Sequence, residues 1–427
     1  MTRSQPSVAI AGAGIMGIST ALHLQRLGAT VTVVDRGEPG SGASHGNAGV
    51  LAAAAVVPVT VPGLLRKAPR MLMDRDAPLF LRWSYLPRLM PWLVRYLSHC
   101  DAGKVRTIAR HLTPLVSDSL DEHRRLAAGT PAAGAVRAGP FIFAYPDSTY
   151  RDGDAFGWGV RRDCGFRFET VDGPEVRARV PALSPRYTSL MVLEDQHGVI
   201  TKPGDYVRDL AQAFAAAGGT VMRAQVTGFL RKDGAIGGLE TSAGPIAADH
   251  TVVATGAWSK RLLASIGIDV PLESERGYHV EFVGATVGTG DASVMITDGK
   301  CVAATMGDRM RIAGLVEFGG LDAPASSEPP QMLKRRALAA FPGLQFTETV
   351  EWLGHRPATT DSLPVWGPSA THRGLHFAFG HHHIGLTSGP KTGRLIADFI
   401  VGGRPNFDFT PYRAERFRSP SSAAAAG

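Results

Sequence analysis

The pattern of apolar and polar positions predicts a strand, a helix and a second strand at the start of the chain. Residues 7–11 form a short apolar run, a glycine-containing turn leads into a helical stretch that reaches about Leu27, and residues 30–34 form a second apolar run. Residues 203–217 have the apolar spacing of an amphipathic helix, which Gly218 and Gly219 are expected to end. Alternation of strands and helices is typical of an α/β fold.

Later apolar runs predict hairpins. Residues 221–230 lead into Asp233-Gly234, a dipeptide that favours a tight hairpin turn. Residues 301–305 and 309–318 are predicted to form another hairpin through Gly307-Asp308. Residues 278–283 alternate, which places Tyr278, Val280 and Phe282 on one face of a strand and His279 and Glu281 on the other.

Composition sets the size and class of the protein. The chain has 427 residues, of which 44% are hydrophobic and 19% charged. Because one hydrophobic core rarely grows beyond about 250–300 residues, two domains are expected. The three cysteines are far apart and form no CxxC pair, which argues against a zinc site, an iron–sulfur cluster or a disulfide framework and favours a reducing, intracellular compartment.

Neither export nor nucleic-acid binding is expected. The chain reaches its first apolar strand after six residues, too few for a signal peptide. The uncharged run 46–65 contains two prolines and is mostly Ala and Val, so it is interpreted as internal. The net charge is +7, yet no long Lys/Arg run is present. Positive charge is concentrated in residues 64–96, where seven Lys/Arg and two Asp are interleaved with aromatic residues.

The first turn has the pattern of a dinucleotide-binding site. Gly12 allows a tight turn, Gly14 lets a pyrophosphate approach the backbone, and Gly17 lets the helix pack closely on the strand. The helix N-terminus supplies free N–H groups and a positive dipole for the phosphates. Asp35, at the end of the second strand, is predicted to accept hydrogen bonds from the adenosine ribose, and its charge disfavours NADP. This motif alone does not distinguish FAD from NAD.

The residues that follow are small and polar from 40 to 50, which suits a backbone lying against a ligand. Together with this segment, the motifs Val252-Val-Ala-Thr255-Gly256-Ala-Trp258 and Trp352-x-Gly354-x-Arg356-Pro357 occur in the order found in the D-amino-acid oxidase (DAO) superfamily of flavoproteins. Over nearly its whole length the chain resembles this superfamily, and most of all its bacterial D-amino-acid dehydrogenase (small subunit)-like branch.

The resemblance implies a Rossmann-like, discontinuous FAD-binding domain with an inserted substrate domain built on a mixed β-sheet plus helices. Residues 1–57, 201–260 and 351–417 are expected to form the FAD-binding domain. Residues 58–200 and 261–350 are expected to form the substrate-binding domain, and 418–427 a disordered tail.

The resemblance also implies which residues bind FAD. They are Gly12, Gly14, Ile15, Met16, Gly17, Asp35, Arg36, Ser44, His45, Asn47, Ala48, Gly49, Val226, Thr255, Gly256, Trp258, Gly380, His383, Ile384, Gly385, Leu386 and Thr387. Some relatives attach FAD covalently in the segment near Gly46. Because this chain has glycine at that position, and no cysteine near Arg356, noncovalent FAD is expected.

Three residues are predicted to act on the substrate. Arg356 is expected to hold the substrate carboxylate through two parallel hydrogen bonds. Tyr278 is a second candidate for the same carboxylate, with core packing as the alternative and His279 as a weaker candidate, while His382 is expected to line the pocket. The three consecutive histidines 381–383 are not expected to bind a metal, since neighbours in an extended chain point apart.

The predicted activity is FAD-dependent oxidative deamination of D-amino acids, or of a cyclic imino acid such as a hydroxy-D-proline, with electrons passed to a quinone, dye or electron-transfer protein. The alternatives are an O2-using oxidase of the glycine or sarcosine oxidase type and a flavin-binding subunit of a larger complex; an NAD enzyme is a distant fourth. The expected location is the cytoplasm or the cytoplasmic face of the inner membrane, where residues 64–96 either contact anionic lipid or cover the substrate domain.

Overall fold

The computed structural model describes residues 5–64 and 79–418. The strands within these residues are β1 (Ser7–Ala11), β2 (Thr30–Asp35), β3 (Val50–Leu51), β4 (Leu79–Leu81), β5 (Val136–Ala138), β6 (Phe141–Tyr145), β7 (Glu169–Asp172), β8 (Ser189–Leu193), β9 (Gly198–Ile200), β10 (Thr220–Arg223), β11 (Val226–Lys232), β12 (Ala235–Thr241), β13 (Ile246–Ala247), β14 (His250–Val253), β15 (Leu272–Val283), β16 (Ser293–Ile296), β17 (Cys301–Met306), β18 (Arg309–Phe318), β19 (Glu348–Thr359), β20 (Val365–Pro368) and β21 (Leu375–Phe379).

The α-helices of the same residues are α1 (Ile15–Arg26), α2 (Leu86–Leu97), α3 (Ala102–Val116), α4 (Ser119–Ala127), α5 (Ser148–Asp152), α6 (Ala155–Asp163), α7 (Glu175–Arg179), α8 (Pro203–Ala216), α9 (Ser259–Ala264), α10 (Glu328–Ala340) and α11 (Gly385–Ile400). None of the helices in the described residues is long and apolar enough to cross a membrane.

The first sheet has the strand order β10-β2-β1-β14-β21-β20, and all its neighbours are parallel except β20 and β21. Helices α1, α8 and α11 cover one face, and the small sheet β11-β12-β13 covers the other. The strands are apolar because both faces are buried, as parallel sheets require. This is the predicted Rossmann-like unit, assembled from distant parts of the chain.

The second sheet has the order β19-β15-β18-β17-β16-β6-β8-β7 and mixes parallel with antiparallel pairs. Helix α10 packs on one face, which is lined by alternate apolar residues of β15, β17 and β18. The opposite face turns toward the first sheet. The predicted mixed sheet with helices is therefore confirmed.

Two details of the predicted organisation differ in the structure. The expected boundary between residues 350 and 351 falls inside β19, which pairs with β15 along its whole length and so belongs to the second sheet up to Thr359. Helices α3 and α4, expected in the substrate domain, share a core with α1 and α11. Burial of their apolar faces, more than their position in the sequence, decides which unit they join.

The predicted hairpins are present. β11 and β12 are joined through Asp233 and Gly234, both with positive φ (49° and 73°), as a two-residue turn of this kind requires. The predicted strand 221–230, however, is divided between β10 and β11, which belong to different sheets. β17 and β18 are joined through Gly307 and Asp308.

Candidate active site

The glycine turn lies where β1 ends and α1 begins, and steric constraints explain its sequence. Gly12 has φ of +108°, and a Cβ there would lie 2.4 Å from the carbonyl oxygen of Ala254. A Cβ on Gly17 would lie 1.8 Å from the Gly12 carbonyl oxygen. Glycine is therefore required at both positions, first for the turn and then for close packing of α1 on β1.

Asp35 ends β2 beside this turn. Its carboxylate accepts hydrogen bonds from the backbone N–H of Ala13 (2.7 Å) and of Gly37 (2.9 Å). These bonds hold the turn after β1 and the turn after β2 together. Each oxygen retains acceptor capacity for further donors. The position at the carboxyl ends of parallel strands is the one that binds a nucleotide ribose in such folds.

The start of α1 suits a pyrophosphate. The N–H of Ile15 donates to Ser44 Oγ (3.0 Å), and the first bond inside the helix joins Ile18 N–H to the Gly14 carbonyl. The N–H groups of Met16 and Gly17 precede that bond, so the helix itself does not satisfy them. Phosphate oxygens are acceptors of the correct charge for this end of a helix.

Other residues expected to contact the cofactor lie close to Trp258. The Arg36 guanidinium stacks on the Trp258 ring at 4.3 Å from its centroid, while Val226 begins β11 beside the end of β2. Gly256 has φ of +55°, and no heavy atom lies within 4 Å of a Cβ built there. The backbone at Thr255 and Gly256 is therefore open to a ligand. The sites predicted in these separate motifs are close together.

The segment that follows Ser44 is held in shape by its own side chains. The Asn47 side chain donates to the Ser44 carbonyl (2.9 Å) and accepts from the N–H of Gly49 (2.8 Å). Gly49 has φ of +70°, and a Cβ there would lie 2.5 Å from the Ile200 carbonyl oxygen, which explains the glycine after Ala48.

Sequence reasoning missed a buried ion pair that fixes this segment. Arg311 on β18 donates to the Asn47 carbonyl (2.6 Å) and to the Glu281 carboxylate on β15 (3.0 Å). Glu281 and Arg311 are directly opposite in the sheet. The alternation of β15 places Glu281 on the face that meets the segment, but the partner strand could not be identified from the sequence.

Gly46 lies against an aromatic pair. A Cβ on Gly46 would lie 2.1 Å from the Trp352 ring, and the His279 ring stacks on Trp352 with centroids 5.2 Å apart. His279 Nδ1 is 2.8 Å from the Gly46 carbonyl oxygen, an interaction that fixes the imidazole. His279, considered above as a carboxylate ligand, is thus engaged in supporting the loop. The neighbouring His45 has an exposed side chain, and desolvation lowers its pKa.

Helix α11 begins immediately after the three histidines, and its first turn is fixed from several directions. His123 Nε2 is 2.8 Å from the carbonyl oxygen of Leu386, and Ser119 Oγ donates to the carbonyl of Thr387 (2.8 Å). The Thr387 hydroxyl lies 3.3 Å from the N–H of Ala52. Gly380, with φ of +80°, and the buried Ile384 bring the chain to Gly385, where the helix begins.

The three histidines have different surroundings. His381 is buried beside Thr392. His382 has a left-handed backbone (φ 46°), and its Nε2 accepts from the N–H of Thr359 (2.8 Å), while burial lowers its pKa to about 3. His382 lines a small cavity, but this nitrogen is already bonded to the end of β19. Within the described residues, no group of three or more His, Cys, Asp and Glu side chains could hold a metal ion.

His383 is solvent-accessible and adjacent to Arg356. Desolvation, and to a lesser extent the positive charge of Arg356, lower the pKa of His383 to about 4. The imidazole is therefore neutral near pH 7. It lines the same cavity as His382, Tyr96 and Leu112.

Arg356 is positioned by β19, and its guanidinium lies over the backbone of Gly277, where a Cβ would be 2.4 Å away. One N–H donates to the Leu315 carbonyl (2.9 Å). A guanidinium has five N–H donors, so donors remain for a carboxylate. Desolvation lowers the pKa of Arg356, and the carboxylate of Glu275 opposes that shift.

Tyr278 lies on the other face of the sheet, and this corrects its predicted role. Register pairs Tyr278 with Leu353, whereas Arg356 pairs with Glu275, so the two predicted carboxylate ligands point in opposite directions. Tyr278 is 2% exposed in the core beneath α10, and its hydroxyl donates to Glu317 (2.5 Å). Tyr278 therefore packs in the hydrophobic core, which was the alternative to its role as a substrate ligand.

Comparisons with known proteins agree with this geometry. A family model described as "FAD dependent oxidoreductase" (DAO) matches residues 7–399. The chain is 38% identical to a D-amino-acid oxidase of Bradyrhizobium diazoefficiens, covering 96% of this chain and 98% of that protein. It is 30% identical to D-amino acid dehydrogenase 2 of Ralstonia nicotianae, covering 96% of this chain and 100% of that protein.

Solved structures share the fold. Glycine oxidase from Geobacillus kaustophilus superposes with a TM-score of 0.73 at 24% identity, covering 97% of this chain and all (100%) of that one. L-proline dehydrogenase from P. horikoshii superposes with a TM-score of 0.71 at 18% identity, covering 97% of this chain and 98% of that one. At this level of identity the likeness establishes the architecture alone.

Proposed function

The chain belongs to the DAO family of FAD-dependent oxidoreductases, and on that premise we propose that it catalyses the oxidative deamination of D-amino acids. The observation that carries this proposal is the position of Arg356. It is a permanently charged donor on the face of the second sheet that meets the flavin-binding segments, next to the neutral His383. A fixed guanidinium at such a site suits a small substrate with a carboxylate.

When bound, FAD would supply a hydride acceptor, so that the substrate could lose a hydride from Cα and a proton from its amino group to give an imine, which water hydrolyses. Arg356 binds the carboxylate and so fixes the angle at which Cα is presented. The N–H groups at the start of α11 would be suited to stabilise the negative charge of a reduced flavin bound beside them. The α1 N-terminus and Asp35 would hold the pyrophosphate and ribose.

We propose that FAD is bound without a covalent bond. Support comes from Gly46, the position expected for attachment, because it has no side chain and the Trp352 ring occupies the space that one would need. Acid precipitation of the purified protein should therefore release the flavin into the supernatant. Flavin that stays with the precipitate would contradict this part of the proposal.

The electron acceptor separates two candidate functions. We propose a dehydrogenase that passes electrons to a quinone, a dye or an electron-transfer protein, in line with relatives named D-amino acid dehydrogenase. The second candidate is an oxidase that uses O2, which the 38% identity to a protein named D-amino-acid oxidase favours. A role as a flavin-binding subunit that needs a partner is a third.

Anaerobic reduction of the bound flavin tests the substrate class. The holoenzyme is mixed with D-amino acids, L-amino acids, N-methylglycine and a hydroxy-D-proline, and loss of flavin absorbance is followed. Bleaching by D-amino acids supports the proposal, whereas preferential bleaching by N-methylglycine or L-amino acids overturns it. Hydrogen peroxide production in air, compared with reduction of a quinone analogue, then identifies the acceptor.

Peripheral membrane contact is proposed for the segment 64–96. Four of its basic residues lie in 65–78, outside the described residues. In the described part, Trp83 (63% exposed) and Val94 (59% exposed) lie close in sequence to exposed Arg88 and Arg95. Exposed aromatic and basic residues close together in the sequence suit the cytoplasmic face of an anionic inner membrane.

Vesicle sedimentation tests this contact. Binding to anionic vesicles should exceed binding to neutral ones and should weaken as salt rises, because screening acts over roughly 8–10 Å at moderate ionic strength. Equal partitioning to both vesicle types would leave only a structural role for the segment, with the protein in the cytoplasm.

A further inference from the structure

A buried carboxylate lies beside Arg356. Glu275 on β15 is directly opposite Arg356 on β19, so the two side chains project from the same face of the sheet. Glu275 is 4% exposed. Side chains paired in this way start from Cβ atoms about 4.5–5.5 Å apart. The sheet therefore presents one negative and one positive group side by side, although sequence reasoning singled out only the positive one.

The two charges influence each other without closing into a direct ion pair. Burial raises the pKa of Glu275 and lowers that of Arg356, and in each case the charge of the other group opposes the shift. Among the ion pairs of the described residues with N···O distances up to 4.0 Å, Glu275 and Arg356 do not occur together. The guanidinium instead donates to the Leu315 carbonyl. The two opposite charges therefore lie on neighbouring strands without a direct contact between them.

The immediate surroundings connect this pair with the cavity. The hydroxyl of Tyr96, on α2, interacts with the Glu275 carboxylate. The same tyrosine lines the cavity that His382 and His383 also line. His383 is in turn close enough to Arg356 to have its pKa lowered by that charge. Glu275 and Arg356 do not line the cavity themselves, but each is linked electrostatically to a residue that does, Tyr96 for Glu275 and His383 for Arg356.

We propose that Glu275 binds the substrate amino group, so that Glu275 and Arg356 together recognise the zwitterion of an α-amino acid. This inference rests on the proposed function, in which Arg356 binds the substrate carboxylate. An α-amino acid carries its two charges on groups attached to one carbon, and the pair of side chains carries the complementary charges at neighbouring positions. Selectivity for amino acids over 2-hydroxy acids and simple carboxylates follows, because a protonated amino group both donates to the buried carboxylate and neutralises its charge, whereas a hydroxyl only donates and a simple carboxylate does neither.

Two binding measurements on the holoenzyme test the proposal. The first is the D-alanine concentration that gives half-maximal anaerobic flavin reduction. The second is the Kd of propanoate, which lacks only the amino group, from its perturbation of the flavin spectrum. In Glu275→Gln, the D-alanine concentration for half-maximal flavin reduction should rise at least tenfold, while the Kd of propanoate stays unchanged or falls. An equal rise for both ligands, or no rise for either, overturns the proposal.

Matched variants separate this role from a general structural one. Glu273→Gln removes a carboxylate two residues away on the same strand face, which binds the Tyr85 hydroxyl, and it should leave the ratio of the two constants unchanged. Glu275→Asp keeps the charge, so its ratio of the D-alanine constant to the propanoate Kd should return most of the way to that of the unmodified enzyme. If Glu275→Gln does not fold, Tyr96→Phe provides the test. A few-fold rise in the half-maximal concentration of D-alanine, with an unchanged Kd of propanoate, supports the proposal. A ratio of these two constants equal to that of the unmodified enzyme overturns it.

The same measurements distinguish failure of this inference from failure of the proposed function. If D-alanine and the other D-amino acids do not reduce the flavin of the unmodified enzyme, both are overturned. A different result separates the two proposals. If D-amino acids reduce the flavin and Arg356→Ala weakens the binding of propanoate, the carboxylate role of Arg356 stands. If, in that case, Glu275→Gln changes neither the ratio of the two constants nor the rate of flavin reduction, only the role of Glu275 is overturned.

Discussion

The glycine turn and the face of the second sheet around Arg356 recognise their ligands in different ways. At the turn, the binding groups are backbone N–H groups of consecutive residues. Three glycines and one aspartate specify this site within 24 residues, from Gly12 to Asp35. On the sheet face, the groups are side chains from strands distant in the sequence, such as Glu275 and Arg356. A local backbone site can be read from a motif, whereas a cross-strand site depends on register.

This difference predicts that substitutions at the turn affect cofactor binding and those on the sheet face affect the substrate. The largest effect is expected for Gly17→Ala, because its Cβ would lie 1.8 Å from the Gly12 carbonyl oxygen and α1 would have to move away from β1. The variant should be purified without flavin or fail to fold, as judged by the flavin-to-protein absorbance ratio. Gly159→Ala, which has no atoms within 4 Å of its new Cβ, is the control and should retain FAD; normal flavin in both would contradict the steric argument.

The next largest effect is expected for Arg356→Ala. Loss of the guanidinium should cost about 3–5 kcal/mol of substrate binding, measured as kcat/KM, because the carboxylate would lie unpaired in a poorly solvated site. Arg356→Lys should lose less, since it keeps the charge but not the two-point geometry. FAD content should stay near normal in both. An Ala variant whose flavin is reduced with unchanged substrate dependence would show that another group holds the carboxylate.

A smaller effect, confined to the cofactor, is expected for Asp35→Ala. Lost hydrogen bonds to the ribose and to the two backbone N–H groups should weaken FAD binding by about 1.5–3 kcal/mol. Titration of the apoprotein with FAD measures the change. Glu38→Ala, on the exposed surface, provides the control. A raised KM for amino acid at saturating FAD, with unchanged FAD affinity, would contradict the separation of the two regions.

The smallest functional effect is expected for Tyr278→Phe. The hydroxyl bonds to buried Glu317, so its removal should lower the free energy of unfolding by roughly 1–3 kcal/mol while leaving the KM for amino acid unchanged. Thermal unfolding and steady-state kinetics on the same preparation measure both quantities. A large rise in KM with unchanged stability would restore Tyr278 as a substrate ligand and would mean that the face assignment is wrong.

Particular residues show where prediction from the sequence succeeds. Gly12 and Gly17 lie at the turn between β1 and α1, and Asp35 at the end of β2, as the sequence predicts, because the local path of the chain requires glycine at the turn and the strand ends beside it. The alternation of β15 correctly separated Tyr278 from His279, yet it could not say which face meets the active site. The structure places α10 against the Tyr278 face, and this packing decides between a substrate ligand and a core residue.

The sequence by itself determined the nucleotide-binding turn, the hairpins and the family, because these depend on backbone sterics and on short motifs whose residues act together. Only the tertiary structure decided that β19 belongs to the second sheet, that Arg311 holds the segment around Asn47, and that Glu275 lies opposite Arg356. These facts depend on which strands pair and in what register. Register is fixed by burial and packing over the whole sheet, so no single segment of the chain contains that information.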